Sequence, residues 1–389
     1  MREPFRRTWA EIDLDAIEHN ARQIKDLLDP GCKMMAVVKA DAYGHGDRQT
    51  AAVLKAAGAD AFAVSAINEA ISLRECGVKD PILVLGFTPL DFADKLVQYG
   101  ITQTVYCPDY ARSLSRALTA LGASVKVHIK VDSGMGRLGF FGTDSAAEIA
   151  AVAALPGLDI EGIFTHFTSA DDFSPEGIAY THAQYQRFMG VIAELEERGV
   201  HFSLRHCCNS AGTVFYPQYH LDMVRPGLIL YGHWPCAGDK IQLRRAMKLK
   251  SVVSMVKTLP AGSFVSYGNT YQTKAPTQVA TIAVGYADGY PRQLSNRGWV
   301  GIGGRRARII GRVCMDQMMV DVTGLGVSPG QEVVLFGDES DGVTVEDVAA
   351  LCSTINYELL CILGRRVQRL YYRQGKMVEV LDYLLESEH

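Results

Sequence analysis

Lys39 closes an apolar run, Met34 to Val38, and is followed at once by Ala40-Asp41-Ala42-Tyr43-Gly44-His45-Gly46. A lysine set after a buried strand loses hydration of its ammonium form, so its pKa falls toward neutrality and its amine can attack a carbonyl or form a Schiff base. The plain alternative is a solvated lysine at the end of an ordinary strand, and Lys39 alone does not decide between them. Other polar residues end apolar runs in the same way, Lys130 with Asp132, His166, and Asn209 with Ser210, and Arg225 sits in the last run just before Pro226-Gly227. Taken singly, each reads as a satisfied structural group. As a set they point to one reaction site.

Gly134-Met135-Gly136-Arg137-Leu138-Gly139 matches the spacing of a dinucleotide fingerprint, with Asp159 where a ribose-binding acid would be sought. A true fingerprint opens its helix directly, whereas Phe140-Phe141-Gly142-Thr143 intervenes before the helix start at Asp144. The match is read as a decoy, and its glycines instead let Arg137 reach inward toward a carboxylate or phenolate. Further along, Tyr267 lies beside Gly268 between β-type runs, Tyr286 sits in the turn Gly285 to Pro291, and Cys314-Met315-Asp316-Gln317 and Asn356-Tyr357-Glu358 complete the candidates. Most tyrosines in such positions are packing residues. No Ser-His-Asp order, H-E-x-x-H or P-loop occurs.

The elements that must position these residues alternate. β-type runs at 33–39, 61–66, 81–86, 102–106, 125–132, 160–166, 203–209 and 223–231 are separated by helical stretches such as 49–57, 66–77, 109–121, 145–155 and 180–198. A first helical pattern is expected from Glu11 to about Leu28. Eight βα-type strands suit a TIM barrel better than an open doubly wound sheet, and the polar set then falls at the C-terminal ends of the strands, where a barrel carries its reaction site. From about Asp239 the texture changes to β-type runs with Pro-Gly and Gly-Asp turn signals. The expected fold is therefore α/β, an N-terminal (β/α)8 barrel over 1–238 followed by a mostly β domain over 239–389, with the first ten or so residues packing with the β domain.

Bulk properties narrow the function. A net charge of −4, with 39 basic and 43 acidic residues interspersed, gives no reason to expect nucleic acid. Nine scattered cysteines without a C-x-x-C pair suggest neither a disulfide framework nor a metal site, and fit a reducing cytosol. Neither a secretory signal nor a membrane-spanning run of about 20 apolar residues is expected.

Together, Val38-Lys39-Ala40-Asp41-Ala42-Tyr43-Gly44-His45-Gly46, Lys130-Val131-Asp132-Ser133-Gly134-Met135-Gly136-Arg137, Thr165-His166-Phe167, Arg225-Pro226-Gly227, Ser266-Tyr267-Gly268 and Cys314-Met315-Asp316-Gln317 resemble bacterial alanine racemase, in order and over essentially the whole chain. Ser133, where the family more often has threonine, and Asn269 are mild departures.

The resemblance implies a pyridoxal 5'-phosphate enzyme that works as a head-to-tail homodimer with shared active sites and supplies D-alanine for peptidoglycan in the cytoplasm. Lys39 would hold the cofactor. Tyr43, Ser210, the Gly227 and Leu228 backbone and Tyr357 would hold its phosphate, with Asn209 beside them. His166 would pack by the cofactor ring and hydrogen-bond Arg225, whose cation would face the pyridine nitrogen and weaken the electron sink. Racemisation needs a base on each face of the α-carbon: Lys39 for D-alanine and, from the partner subunit, Tyr267 for L-alanine. Arg137 would contact the substrate carboxylate, Lys130 would be a site of carbamylation, and Met315, Asp316 and Tyr286 would line the pocket and its entry. Relatives that prefer serine replace the tyrosine matching Tyr357, so its presence favours alanine, with serine turnover as the alternative. Barrel-plus-β-domain decarboxylases place an acid where Arg225 stands, and non-catalytic cofactor-homeostasis proteins lack a β domain; both rivals fit less well.

Overall fold

The computed structural model describes residues 3–235 and 240–385. The expected boundary at 238/239 lies outside the described residues. The chain forms two compact units, one of Ile17–Ala42 with Asp47–Leu243, the other of Met1–Ala16, Tyr43–Gly46 and Arg244–His389.

In the first unit the alternating runs become a sheet of eight strands, Lys33–Val37, Ala61–Val64, Ile82–Val84, Thr102–Val105, Val125–Lys130, Leu158–Phe164, Leu204–His206 and Met223–Val224. Neighbours in sequence are neighbours in space and every pairing is parallel. The last strand returns to the first, with Lys33 opposite Met223 and Met34 opposite Val224. The seam between the seventh and eighth strands is joined by the Asp222 N–H donating to Arg205 O at 3.1 Å and the Arg225 N–H to Cys208 O at 2.9 Å. This is the expected barrel, nearly closed. Ala61–Val64 and Thr102–Val105 are buried throughout, as parallel strands covered on both faces must be. Helices Ile67–Glu75, Pro108–Ala120, Ser145–Ala153 and Pro175–Glu197 lie between strands.

Because all eight strands run the same way, their C-terminal ends share one rim of the barrel. Lys130 is the last residue of the fifth strand, His166 follows the sixth, Asn209 the seventh, and Lys39 and Arg225 the first and eighth. The eighth strand is shorter than the expected 223–231. Pro226 offers no N–H to a ladder, and Leu228–Tyr231 turns into a 3-10 helix.

The second unit carries a nine-stranded sheet. The long strand Met247–Leu259 pairs with Glu332–Phe336 along its first half and with Thr277–Ile282 along its second. Those partners are linked through Met318–Asp321, Arg305–Ile309 and Trp299–Ile302, so six strands close into a ring, and Thr8–Asp13, Gln368–Arg373 and Lys376–Leu381 extend it. Here the structure corrects the expected helix from Glu11. Thr8–Asp13 is a strand, antiparallel to Met247–Leu259 and parallel to Gln368–Arg373, with Trp9 buried. Helix Leu14–Lys25 begins only after Asp13, whose Oδ1 accepts from the N–H groups of Asp15 and Ala16, an N-cap that the helical pattern alone does not reveal.

Candidate active site

The segment after Lys39 is a helical turn, Lys39–Gly44, wound in the left-handed sense: Ala40, Asp41, Ala42 and Tyr43 have φ of 52°, 55°, 52° and 55°. Left-handed backbone costs a non-glycine residue about 1–2 kcal/mol, so the turn stores roughly 4–8 kcal/mol. Specific contacts hold it. The Ala40 N–H donates to Glu69 Oε1 at 2.6 Å, Asp41 Oδ1 accepts from the Asp47 N–H at 3.0 Å, and Arg369 Nε donates to Gly44 O at 3.1 Å. A side chain at Gly44 would collide with Leu360 O. Strain so over-determined is characteristic of functional sites. The Tyr43 ring lies 6.0 Å from that of Tyr357, and burial, followed by the neighbouring Tyr357 and Cys361, pushes the Tyr43 phenol far up. It is a hydrogen-bond donor at any physiological pH.

At the barrel rim the charges converge on His166. Burial first, and then the cations Arg225, Lys130, Arg137 and Lys39, hold its imidazole well below the ordinary value. It is a neutral ring in a cationic surround. Lys130 is 5% exposed and donates to Val131 O at 3.0 Å. Burial, Arg225 and Arg137 together push its ammonium down to about 7, against the opposing pull of Asp132.

Asp132 organises the loop that carries Arg137. Its Oδ1 accepts from the N–H groups of Gly134, Met135 and Gly136, and its Oδ2 from that of Arg137. Burial works against the charge, but these backbone donors hold the carboxyl below its usual range. Gly134, Gly136 and Gly139 all have positive φ, and a side chain at Gly139 would collide with the Asp132 backbone N. The glycines therefore fold a loop back along the fifth strand, and the next helix starts only at Ser145. That is the geometry of a decoy fingerprint.

Arg225 is 3% exposed, and burial lowers its pKa to about 10, so it stays a cation at neutral pH. Its guanidinium donates to His206 Nδ1 at 2.7 Å, to Thr165 O at 2.8 Å and to Cys207 O at 3.2 Å. The expected hydrogen bond to His166 is not made; the histidine that pairs with Arg225 is His206, which sequence reading passed over as part of a strand. Asn209 caps helix Ser210–Phe215, accepting from the Gly212 N–H at 3.0 Å. The Ser210 Oγ accepts from the Gly227 N–H at 2.9 Å, which leaves its hydroxyl proton as a donor.

Three loops of the second unit gather the remaining candidates. Tyr267 follows Ser266 and precedes Gly268, both at positive φ, and the Ser266 hydroxyl donates to Arg312 O at 2.6 Å. Cys314 O and Met315 O accept from the N–H groups of Tyr286 and Ala287, each at 3.0 Å. Asp316 Oδ1 accepts from Arg366 at 2.6 Å, and Arg366 and Arg7 both bind the buried Asp288 carboxylate. The loops are thus pinned from behind while the side chains stay open: Tyr267 is 71% exposed, Met315 53% and Tyr286 43%.

Two family models match the chain, the alanine racemase N-terminal domain over residues 12–235 and the alanine racemase C-terminal domain over 246–371. The alanine racemase of Desulforamulus reducens is 46% identical over 95% of this chain and 100% of its own length. The solved alanine racemase of Clostridium difficile superposes with a TM-score of 0.92 at 39% identity, covering 98% of this chain and 100% of that one. The alanine racemase of Bacillus anthracis, solved with bound L-Ala-P, gives 0.93 at 34% identity over 98% and 99%.

Proposed function

The chain belongs to the alanine racemase family and interconverts L- and D-alanine, and we propose that it does so with pyridoxal 5'-phosphate at the C-terminal rim of its barrel, Lys39 and Tyr267 being the two bases. The residues present fit that group. An amine at Lys39 suits its carbonyl, the Ser210 hydroxyl proton suits its phosphate, and Arg225, which has donors but no acceptor, suits a pyridine nitrogen kept unprotonated. By motif, Gly227, Leu228, Tyr43 and Tyr357 share the phosphate role.

The observation that carries this reading is the placement of Lys39, Lys130, His166, Asn209 and Arg225 together at the C-terminal ends of the parallel barrel strands, with the Arg225 and Arg137 cations beside His166 helping burial to hold its imidazole neutral. A cationic field of that kind attracts an amino-acid carboxylate and a phosphate ester, and it lowers the cost of a nearby phenolate. When bound, the cofactor draws electron density from the α-carbon of alanine and makes its proton removable. Lys39 Nζ then takes the proton from D-alanine and the Tyr267 phenolate takes it from L-alanine, the other group supplying a proton to the opposite face. Arg137, held by Asp132, binds the substrate carboxylate. Lys130, whose ammonium burial and the neighbouring arginines bring down to about 7, adds through its free amine to carbon dioxide, releasing a proton and giving a carbamate that orients Arg137.

Tyr267 serves the site of a second subunit in a homodimer, with Met315, Asp316 and Tyr286 lining the approach. The exposure of Tyr267 in a single chain supports this. The eight described cysteines are free thiols, in keeping with a cytoplasmic supplier of D-alanine for peptidoglycan. Incubating the cofactor-loaded protein with L-alanine in deuterium oxide tests the reaction. Loss of optical rotation with α-deuteration is expected, and absence of both would contradict it.

A further inference from the structure

Arg225 is the first member of a buried chain that leaves the rim and runs down the barrel interior. Its guanidinium donates to His206 Nδ1; His206 Nε2 lies 2.8 Å from His128 Nδ1, and His128 Nε2 lies 3.3 Å from Glu161 Oε2. Glu161 Oε1 in turn accepts from Lys126, and Glu161 and His128 line a cavity of about 200 Å³ with Lys33, Asp60 and Met223. These last residues stand at the N-terminal ends of strands, so the chain crosses the barrel from the reaction rim to the floor.

Arginine has no acceptor, and this dictates every proton along the chain. His206 Nδ1 must be bare, so its proton sits on Nε2 and is donated to His128 Nδ1. His128 then carries its own proton on Nε2 and donates it to the carboxylate. The hydrogen bond from His128, which outweighs the opposing effect of burial, and that from Lys126 hold the Glu161 carboxyl down at about 2. Glu161 is an anion, and the two imidazoles lie between it and the buried Arg225 cation.

The backbone is shaped for this arrangement. Between the fifth and sixth strands the register runs Val127 opposite Ile160 and then His128 opposite Gly162, so Glu161 is the extra residue of a bulge. Bulges re-aim side chains near sites, and this one brings Glu161 to His128. A side chain at Gly162 would lie 2.8 Å from His128 Cε1, so only glycine leaves room for the ring. Phe164 stacks on His206 at 4.8 Å and 3°, fixing that ring's plane.

We propose that His128 and Glu161 are positioning residues for Arg225: they lock the tautomer of His206 and so the direction in which the guanidinium faces the cofactor. This rests on Arg225 facing the pyridine nitrogen. The test reads 15N-histidine chemical shifts of the cofactor-loaded protein together with kcat and KM for Glu161→Gln and Glu161→Leu, two substitutions of similar volume. The expected result is a neutral, Nε2-protonated tautomer at both His128 and His206. Gln, which keeps an acceptor for His128, should retain most of kcat; Leu should lower kcat about tenfold, the scale of a lost buried partner, with KM for alanine little changed and the His206 shifts altered. An Nδ1-protonated His206 in the unsubstituted protein, or equal kcat in the two variants, would overturn the proposal. Should Glu161→Leu not fold, the tautomer reading of the unsubstituted protein decides alone. Failure of that protein to bind pyridoxal phosphate would instead refute the reading on which the proposal rests.

Discussion

Lys130 and Arg225 both lie over the Phe164 ring, the charged centre of each 5.2 Å from its centroid. A neighbouring cation adds to the cost of keeping a proton on a buried ammonium. Arginine keeps its charge and lysine yields: burial first, and then the Arg225 cation, brings the Lys130 ammonium down to about 7. The unprotonated amine can add to carbon dioxide, forming a carbamate anion and releasing one proton. With 13C-labelled bicarbonate, a carbamate carbon resonance is expected in the protein and none in Lys130→Met, whose kcat should fall about tenfold with the loss of the charge partner of Arg137. A spectrum without that resonance would rule the modification out.

Stability should also report the same amine. The folded value is lowered from 10.5 to about 7, so between these limits the unfolded chain binds more protons and folding stability rises with pH. Below about pH 7 both states are protonated and the full cost of burying the charge is present. In buffer free of carbon dioxide, Lys130→Met should therefore be more stable than the parent by the largest margin near pH 6, and the margin should shrink toward pH 10. Urea midpoints measured across that range check this; a margin independent of pH would contradict it.

The left-handed turn after Lys39 makes its own prediction. Ala40 is exposed at φ 52°, where glycine escapes a penalty of about 1 kcal/mol or more. Ala40→Gly should raise the denaturation midpoint by a gain of about 0.5–1 kcal/mol, partly offset by the entropy of the unfolded glycine. A lowered midpoint would show that the turn is not strained at this residue.

The barrel was legible because a period of strand and helix repeats along the chain, and because polar residues that end buried strands stand out against them. Lys39, Lys130, His166 and Arg225 were visible for that reason. His206 was not, since its importance lies in a contact with Arg225 across the seam between two strands, and nothing local marks a strand-end histidine as an arginine's partner. The strand Thr8–Asp13 was misread because its partners lie more than two hundred residues away, at Met247–Leu259 and Gln368–Arg373. The left-handed turn was hidden by its composition. No glycine occupies 40–43, so the usual signal for positive φ is missing where the structure imposes it.

If Tyr267 acts in the neighbouring subunit's site, two dead variants should rescue each other. Lys39→Ala and Tyr267→Phe, unfolded together and refolded as a mixture, give mixed dimers in which one site keeps both bases, so about a quarter of full activity should return. Recovery of none would mean that both bases come from one chain.

The assignment of one base to each face of the α-carbon is tested most directly by α-proton exchange in deuterium oxide, measured separately from L- and D-alanine with Tyr267→Phe. Loss of a positioned base costs about 10²–10⁴-fold in rate. Exchange from L-alanine should fall by that order while exchange from D-alanine, drawn by Lys39, persists. Equal residual exchange from the two enantiomers would contradict the assignment of Tyr267 as the base for L-alanine.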